Sequence, residues 1–552
     1  MEGEPNAEFI RGENIIDRLI AIMRRYPEYI WFAHNAGYDW RYFIDYFRNE
    51  PGVRYSLRND NSIFSIRIPA LVGDKMVIMR DSMAIWPKSL RELAQTFCPE
   101  FPKGEIDFNK VTFNPYDMSH IKYALRDAEI LVHGIRRYDE IIHERYGVHL
   151  QATIASTAMR AWRHMLDKDE KYYNPKHLEG YIRDAYFGGL VFLTRDDDPG
   201  HCRTYDISSS YPDKMRRCGV PYGKVWACTG PDYDHPGIYD VTVDAGENIS
   251  IPILPARGAK GTVLWPSGKF RTKVTSIELK FALERGYKLI EFHSGICFEK
   301  IIFPFNKFVD RAEETRRQFK GRPEEKVAKD IQNSLYGKFG ARRERRSIVT
   351  WKEAEGKEGY VPWDDEASLF VKLERAEDMT VLPQWAVWIT ACGRLQLLET
   401  AYDKLGVENV IYGDTDSLTT TGNLETAKSY GSWQLEKEWI SFRAIAPKVY
   451  CGRLNGPHRL KGKDLADGAW FGAAKGIPEK KQSQEVFEDM FYNDIVSVEM
   501  DFLPSFLVTL RGKSGTLKHI SRKSTNVKNS RNWRKDGHRI SPRPFPGLED
   551  TG

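Results

Sequence analysis

Two aspartates one residue apart constrain this chain more than any other feature. Asp414 and Asp416 lie in Ile411-Tyr412-Gly413-Asp414-Thr415-Asp416-Ser417, between two apolar runs. A short polar break between such runs reads as a hairpin. Residues two apart on a strand face the same side, so the two carboxylates are expected to project together. Held that close, they repel and raise each other's pKa unless a cation lies between them. A hard divalent ion, magnesium or manganese, suits such oxygen donors. Gly-Asp-Thr-Asp is also ordinary turn chemistry, so these residues alone leave a plain polar turn open.

A third acid lies far upstream. Tyr205-Asp206-Ile207-Ser208-Ser209-Ser210-Tyr211-Pro212 reads as a strand ending at Asp206, with a helix beginning at once. A helix N-terminus offers unpaired N–H groups and a positive dipole end, which suits a triphosphate. Asp206, Asp414 and Asp416 brought together could clamp two metal ions about 3.5–4 Å apart for an in-line phosphoryl displacement. Asp206 or Ser208 acting as a helix cap accounts for the same pattern. In Lys329-Asp330-Ile331-Gln332-Asn333-Ser334-Leu335-Tyr336-Gly337, positions 329, 333, 336 and 337 share a helical face. Cation, amide and ring then stand in a column that fits a nucleotide from phosphates to base, although a surface Lys beside a core Tyr fits too. The preceding helix adds Arg316, Arg317 and Lys320.

At 552 residues the chain is too long for one core and divides into several domains. Its net charge of +5 permits nucleic-acid binding without arguing for it. The cysteines are scattered with no C-x-x-C pair, which argues against a zinc site or a disulfide framework and for a reducing, cytoplasmic setting. No run of about 18 apolar residues exists, so no membrane partner is expected. Residues 1–180 read as one α/β domain. Ile15, Leu19, Ile22 and Met23 fall on one helical face, Tyr29–Ala33 reads as a strand, segments 62–68 and 76–80 alternate like paired strands, and 119–146 is a long helix. Gly188-Gly189 marks a boundary, and Gly321-Arg322-Pro323 splits 305–340 into two helices. A charged stretch at 341–380 precedes a helix at 384–403 and a strand–turn–strand at 409–420. From Arg511 to Arg539 the chain is dense in Lys and Arg, with Asp536 the lone acid. That stretch reads either as a solvated tail or as a phosphate-tracking arm.

Asp206-Ile-Ser-Ser-Ser-Tyr-Pro, Lys329-x-x-x-Asn333-Ser-Leu-Tyr336-Gly337 and Tyr412-Gly-Asp414-Thr-Asp416-Ser occur in that order, and with them the chain resembles the family B DNA polymerases. The resemblance implies an α+β multidomain right hand behind an N-terminal ribonuclease-H-like, 3′–5′ exonuclease-type α/β domain. The expected division is 1–180 exonuclease-like, 181–304 linker and palm, 305–340 fingers, 341–380 insertion, 381–475 palm, and 476–552 thumb and basic tail. Asp206, Asp414 and Asp416 become the catalytic acids, with Asp206, Asp416 and the Ile207 carbonyl as ligands for two Mg2+ or Mn2+ ions. Tyr211 becomes the residue under the sugar, although the family usually has Leu where this chain has Ser210. Arg316, Lys329 and Asn333 become triphosphate contacts, and Tyr336 packs on the nascent base pair. Tyr186-Phe187-Gly188-Gly189 resembles the Tyr-x-Gly-Gly link that touches template. Lys448-Val449-Tyr450 and Lys475-Gly476 resemble primer-strand contacts.

The front of the chain resembles the family's proofreading domain in part. His34-Asn35-Ala36-Gly37-Tyr38-Asp39 and Tyr123-Ala-Leu-Arg-Asp127 match its second and third motifs, with Asn35 on the primer end, Tyr123 positioning water, and Asp39 and Asp127 as ligands. Ser89-Leu90 resembles another contact of that domain. The Asp-x-Glu of the first motif is missing, as if the domain were truncated at its start, so weak or absent exonuclease activity is expected. The stretch at 341–380, Gly431-Ser-Trp433 and the short length resemble protein-primed phage and linear-plasmid enzymes. The expected activity is DNA-directed DNA synthesis in replication. Its partners are primer–template DNA, deoxynucleoside triphosphates and a terminal protein whose hydroxyl primes. The alternative is a DNA-binding nuclease or repair protein with an inactive palm.

Overall fold

The computed structural model describes residues 9–544 apart from 58–61, 72, 108–109, 343, 364–368, 376–380, 461, 494–495, 503–505, 511–517, 525–532 and 537–538. The nuclease-like unit is built on a seven-stranded sheet ordered Ile30–Ala33, Met76–Asp81, Ile63–Pro69, Arg54–Leu57, Glu344–Thr350, Leu369–Arg375, Tyr360–Pro362. The alternation at 62–68 becomes an antiparallel pairing with Met76–Asp81 through Ser65↔Arg80 and Ile66↔Met79. The helix Ile15–Arg25 buries Ile20 and Met23, with Ile16 and Leu19 packed beside them. Ile15, expected on the apolar face, is 40% exposed, because the helix turns Ile20 toward the sheet instead. The long helix Met118–Tyr146 is capped by Asp117 and ends where Gly147 adopts a left-handed conformation, φ 67°.

The sequence boundaries separate 341–380 from 1–180, but the sheet joins them. Ile348 pairs with Tyr55 and Ser347 with Ser56. Ile348, Leu369 and Tyr55 share one buried core, which Phe506 and Leu510 also enter from the C-terminal region.

The palm is a second seven-stranded sheet, antiparallel throughout, ordered Trp470–Ala474, Val449–Leu454, Trp433–Ala446, Cys202–Ile207, Ser417–Thr420, Val410–Asp414, Val191–Leu193. The strand bearing Asp206 is thus central. A four-stranded sheet, ordered Lys269–Thr275, Gly237–Asp244, Lys288–Ile302, Val220–Cys228, shares the palm's core. The helix Pro383–Glu399 has no polar face and is buried along nearly its whole length. Such a helix has to lie between layers. Leu395, Leu397 and Leu398 enter the palm core, and Trp385, Ala386 and Ile389 enter the core beneath the fingers. It ends sooner than expected, passing into a wider turn over Thr400–Leu405.

The fingers are Asn306–Gln318 and Pro323–Ser334, hinged at Gly321 (φ 77°), with Pro323 at the first turn of the second helix. Phe308, Val309, Val327 and Ile331 pack with Tyr138, Ile141 and Ile142 of the nuclease-like unit. Toward the C-terminus, Val496–Phe502 pairs with Lys518–Ser524, and Trp533–Asp536 with Arg539–Pro542. Ile540 is buried in the palm core, and its N–H donates to the Thr194 carbonyl at 2.7 Å. Much of the basic stretch 511–539 lies outside the described residues. Among those described, no helix is long and apolar enough to cross a membrane.

Candidate active site

The strand Cys202–Ile207 sets Asp206 opposite Ser417 on one side and Gln434 on the other. The Ile207 N–H donates to the Asp416 carbonyl at 2.8 Å, which pins the hairpin turn against the end of the Asp206 strand. Burial pushes the Asp206 carboxyl up to about 7, and the charges of Asp416 and Glu436 add to the rise. Burial likewise pushes Asp416 up to about 6, with the Asp414 charge adding. Lys329 of the fingers and Lys437 act on Asp206 in the opposite sense, so residues far apart in sequence share one field here.

Asp414 departs from the expected geometry. It ends the strand Val410–Asp414, whereas Asp416 lies in the turn, because Thr415 takes φ 62° and breaks the two-residue period. The Asp414 carboxylate accepts from Lys448 Nζ at 2.7 and 2.8 Å, and from the Tyr412 hydroxyl at 3.3 Å. Among the described residues no group of three or more His, Cys, Asp or Glu converges on a metal position. What converges is the pair Asp206–Asp416. Its donor set, two half-buried carboxylates with raised pKa beside the Ile207 backbone, fits a hard divalent cation better than it fits an empty pocket. Glu436, at an irregularity where the strand Trp433–Ala446 passes Tyr205 and Thr204, adds a further acidic charge nearby; no sequence motif flagged it.

Of the expected nucleotide contacts, Lys329 acts on Asp206, and Tyr211 and Tyr336 feel the charge of Asp416. Tyr211 and Tyr336 stack, with ring centroids 4.1 Å apart and planes at 20°. Lys329 and Asn333 are exposed on the second fingers helix. That helix stops at Ser334, and Tyr336 opens a separate short turn, Tyr336–Phe339, so the column does not lie on one continuous helix. Arg316 Nη1 donates to Ser209 Oγ at 2.7 Å and to the Tyr430 hydroxyl at 2.9 Å, while its buried Nε has no partner. Tyr430 in turn donates to Gln332 Oε1 at 2.9 Å. Tyr430 and Gln332 were not legible in the sequence. Ser209, in a left-handed conformation, is the residue before the helix Ser210–Arg217, so neither Asp206 nor Ser208 caps it.

The Tyr186–Gly189 link sits against the hairpin tip. A Cβ on Gly189 would lie 2.4 Å from Thr415 Oγ1, and the Thr415 N–H donates to the Leu190 carbonyl at 2.8 Å. Tyr186 packs over Gly340, and Gly188 is exposed. The buried Arg394 guanidinium donates to the Phe187 and Gly188 carbonyls at 2.8 Å each and to Glu278 at 2.7 and 2.9 Å. On the other side of the tip, the Lys448 N–H donates to the Tyr412 hydroxyl at 3.0 Å, and the Tyr450 ring lies 5.4 Å from that of Tyr412. Lys475 is exposed, and its N–H donates to the Lys448 carbonyl at 3.0 Å.

The exonuclease-like residues form a different arrangement. Lys103 Nζ donates to Asp127 at 2.5 and 2.6 Å and to the Tyr123 hydroxyl at 2.6 Å. Burial raises the Asp39 carboxyl, with Asp81 adding. The Asn35 N–H donates to Asp81 Oδ1 at 3.1 Å. Neither Lys103 nor Asp81 was expected here. Ser89 caps the helix Leu90–Phe97 in a reciprocal box with Glu92, a structural role.

A central acidic pair under a fingers helix, with a nuclease-like unit packed behind, defines a right-hand polymerase. The family description "DNA polymerase type B, organellar and viral" matches residues 20–145 and 113–365, and the chain belongs to that family. It is 25% identical over 548 residues to a probable DNA polymerase of Neurospora intermedia, covering 85% of this chain and 56% of that one. It is 24% identical over 497 residues to the DNA polymerase of Bacillus phage phi29, covering 82% of each. The fold matches phi29 DNA polymerase complexed with primer-template DNA and incoming nucleotide substrates, with a TM-score of 0.72 at 20% identity over 93% of both chains.

Proposed function

We propose that the chain extends a primer 3′-hydroxyl with deoxynucleotides along a DNA template, with Asp206 and Asp416 as the metal-holding catalytic acids. The meeting of these two carboxylates beneath Lys329 carries the reading. Two divalent cations, Mg2+ or Mn2+, would supply the charge that ionises the attacking hydroxyl and balances the departing pyrophosphate. Asp206, Asp416 and the Ile207 carbonyl would hold them. Lys329 and Asn333 bind the triphosphate. Arg316, held by Ser209 and Tyr430, adds a further triphosphate contact beside them. Tyr211 lies under the sugar and Tyr336 on the base pair.

The Tyr186, Gly188 and Gly189 link tracks template, and Lys448, Tyr450 and Lys475 hold the primer end. Lys448 does so while balancing Asp414. The resemblance of 341–380 and Gly431-Ser-Trp433 to protein-primed enzymes supports priming from a terminal-protein hydroxyl. Exonuclease activity is weak or absent, a reading supported by Lys103 neutralising Asp127.

Primer extension with Mg2+ or Mn2+ tests the assignment. Asp416→Asn should lower extension by about 10³-fold or more, the scale for removing a group that acts on transition-state charge, and keep DNA affinity. Extension by that variant at the unaltered rate refutes it. A labelled primer incubated with metal but without nucleotides reads the nuclease; rapid digestion overturns that part alone.

A further inference from the structure

Tyr430 stands where the palm meets both fingers helices. It belongs to the loop before the palm strand Trp433–Ala446, and that loop is stitched to the end of the Asp206 strand. The Gly431 N–H donates to the Ser208 carbonyl at 2.7 Å, and the Ser208 N–H donates to the Ser432 carbonyl at 2.9 Å. Gly431 takes φ 74°, and the Gln396 side-chain amide donates to its carbonyl at 2.6 Å. The palm therefore sets where the Tyr430 ring lies. The ring is buried in the core it shares with Phe308 and Val309 of the first fingers helix and Val327 and Ile331 of the second.

Its hydroxyl bonds both helices. It accepts from Arg316 Nη1 at 2.9 Å and donates to Gln332 Oε1 at 2.9 Å. Gln332 is fully buried, and its Nε2 donates to Ser209 Oγ at 3.5 Å. The same oxygen accepts from Arg316 Nη1 at 2.7 Å. Four side chains thus close a hydrogen-bonded ring, two from the fingers and two from the palm. The Tyr430 ring also faces two guanidinium groups, Arg316 at 5.2 Å and Arg216 at 5.6 Å from its centroid. Arg216 is paired with Asp310 and Glu313. Arg316 pairs with no carboxylate among the described residues, and both of its hydrogen-bond partners are neutral hydroxyls. Neutral acceptors orient a guanidinium without cancelling its charge.

We propose that Tyr430 is a positioning residue for the incoming nucleotide, whose hydroxyl holds the Arg316 guanidinium at the angle at which it meets the triphosphate. Without that hydroxyl, Arg316 keeps one anchor of two, and Gln332 Oε1 loses its donor. A charged side chain that has to be ordered during binding gives less affinity than one already held. Gln332 lies beside Asn333 and one turn from Lys329, so the same ring fixes the rotation of the helix that displays them. That Arg316 meets a triphosphate rests on the polymerase reading; the hydrogen-bonded ring does not.

The test is titration calorimetry of dATP into the full chain with Mg2+ and a primer–template whose primer ends in a dideoxynucleotide, which needs no catalysis, beside KM and kcat for primer extension. Tyr430→Phe keeps the ring under both guanidinium groups and removes the hydroxyl alone. It should weaken dATP binding and raise KM for dATP about tenfold, the scale of one lost hydrogen bond to a charged group, with kcat and primer–template affinity nearly unchanged. Arg316→Gln should weaken dATP binding at least as much. Tyr430→Phe added to Arg316→Gln should weaken it no further, because the hydroxyl acts through that guanidinium, whereas a merely structural tyrosine adds its loss in both backgrounds. Unaltered dATP binding by Tyr430→Phe overturns the proposal, and so does an additive double variant or an equal loss of primer–template affinity. If Tyr430→Phe does not fold, Gln332→Leu decides in its place: it removes the acceptor of the hydroxyl and should weaken dATP binding, and no change overturns the role of the ring. Arg316→Gln binding dATP like the unaltered protein overturns the triphosphate contact and the proposal with it; a loss there without one in Tyr430→Phe overturns the proposal alone. Failure of the unaltered protein to extend a primer while it binds dATP counts against the catalytic acids and leaves the comparison of variants to decide on Tyr430.

Discussion

In metal-free protein between about pH 4 and about pH 7, Asp206 keeps a proton that an unfolded chain gives up. Its carboxyl is pushed up to about 7, against about 4 for a free aspartate. Between those values the folded state binds more protons than the unfolded state, so stability falls as pH rises through the window and is fully present only below it. Metal-free protein melted in a chelator at pH 5 and pH 8 should therefore lose more Tm than Asp206→Asn does over the same range. Parallel losses would sink the assignment. Mg2+ or Mn2+ at pH 8 should restore the unaltered protein and not the variant. Gly189 is a second residue-scale case. A methyl there would meet Thr415 Oγ1 at 2.4 Å, too close for either to stay put. Gly189→Ala should cost about 1–3 kcal/mol as overpacking and slow extension by moving the turn that carries Asp416. Adding Thr415→Gly, which removes the obstructing side chain and suits φ 62°, should recover part of both; no recovery in melting or extension would refute the contact.

At the scale of elements, the hairpin and the link before the palm are held from beneath. Arg394 and Glu278 are 1% and 2% exposed and bonded to each other, and Arg394 also takes up the Phe187 and Gly188 carbonyls. Removing one partner of such a pair leaves a buried charge unmatched. Arg394→Met should cost about 3–5 kcal/mol in urea unfolding, and Arg394→Met/Glu278→Leu should cost less than the single change. A double variant worse than the single one would show that the pair is not the unit. The same scale explains two missed details of geometry. Strand periodicity aligned Asp414 with Asp416, but one left-handed residue between them sent Asp414 to Lys448. Helical periodicity placed Lys329 and Tyr336 on one helix, but the helix ends at Ser334 and the ring comes from the next turn.

Across the whole molecule, the C-terminal region is fastened to the nuclease-like unit. Phe506 packs edge-on to Trp40 and Phe47, with centroids 5.9 and 6.4 Å apart. Arg48 donates to the Thr509 and Leu510 carbonyls at 2.9 and 2.8 Å, closing the end of the helix Phe506–Leu510. Arg48→Ala leaves those carbonyls without that donor, so amide exchange in Phe506–Leu510 should rise about tenfold for each 1.4 kcal/mol lost while the palm strands stay protected. Unchanged exchange there would mean the fastening lies elsewhere. This docking shares its core with Ile348 and Leu369, so the stretch the sequence marked as an insertion and the helix Phe506–Leu510 meet in one core.

By itself the sequence determined the family to which the three ordered motifs point and many element boundaries, and it singled out the candidate acids. These depend on local pattern: apolar period, turn residues, short motifs. Only the tertiary structure decided which acids converge, because Asp206 meets Asp416 across strand pairing while Lys448 claims Asp414. It also decided the roles of Glu436, Tyr430, Gln332, Lys103 and Arg394, none of which carries a local signal, since each acts on partners distant in the chain. The physical reason is that charge and packing act through space over a few ångströms, whereas a sequence records neighbours along the chain alone.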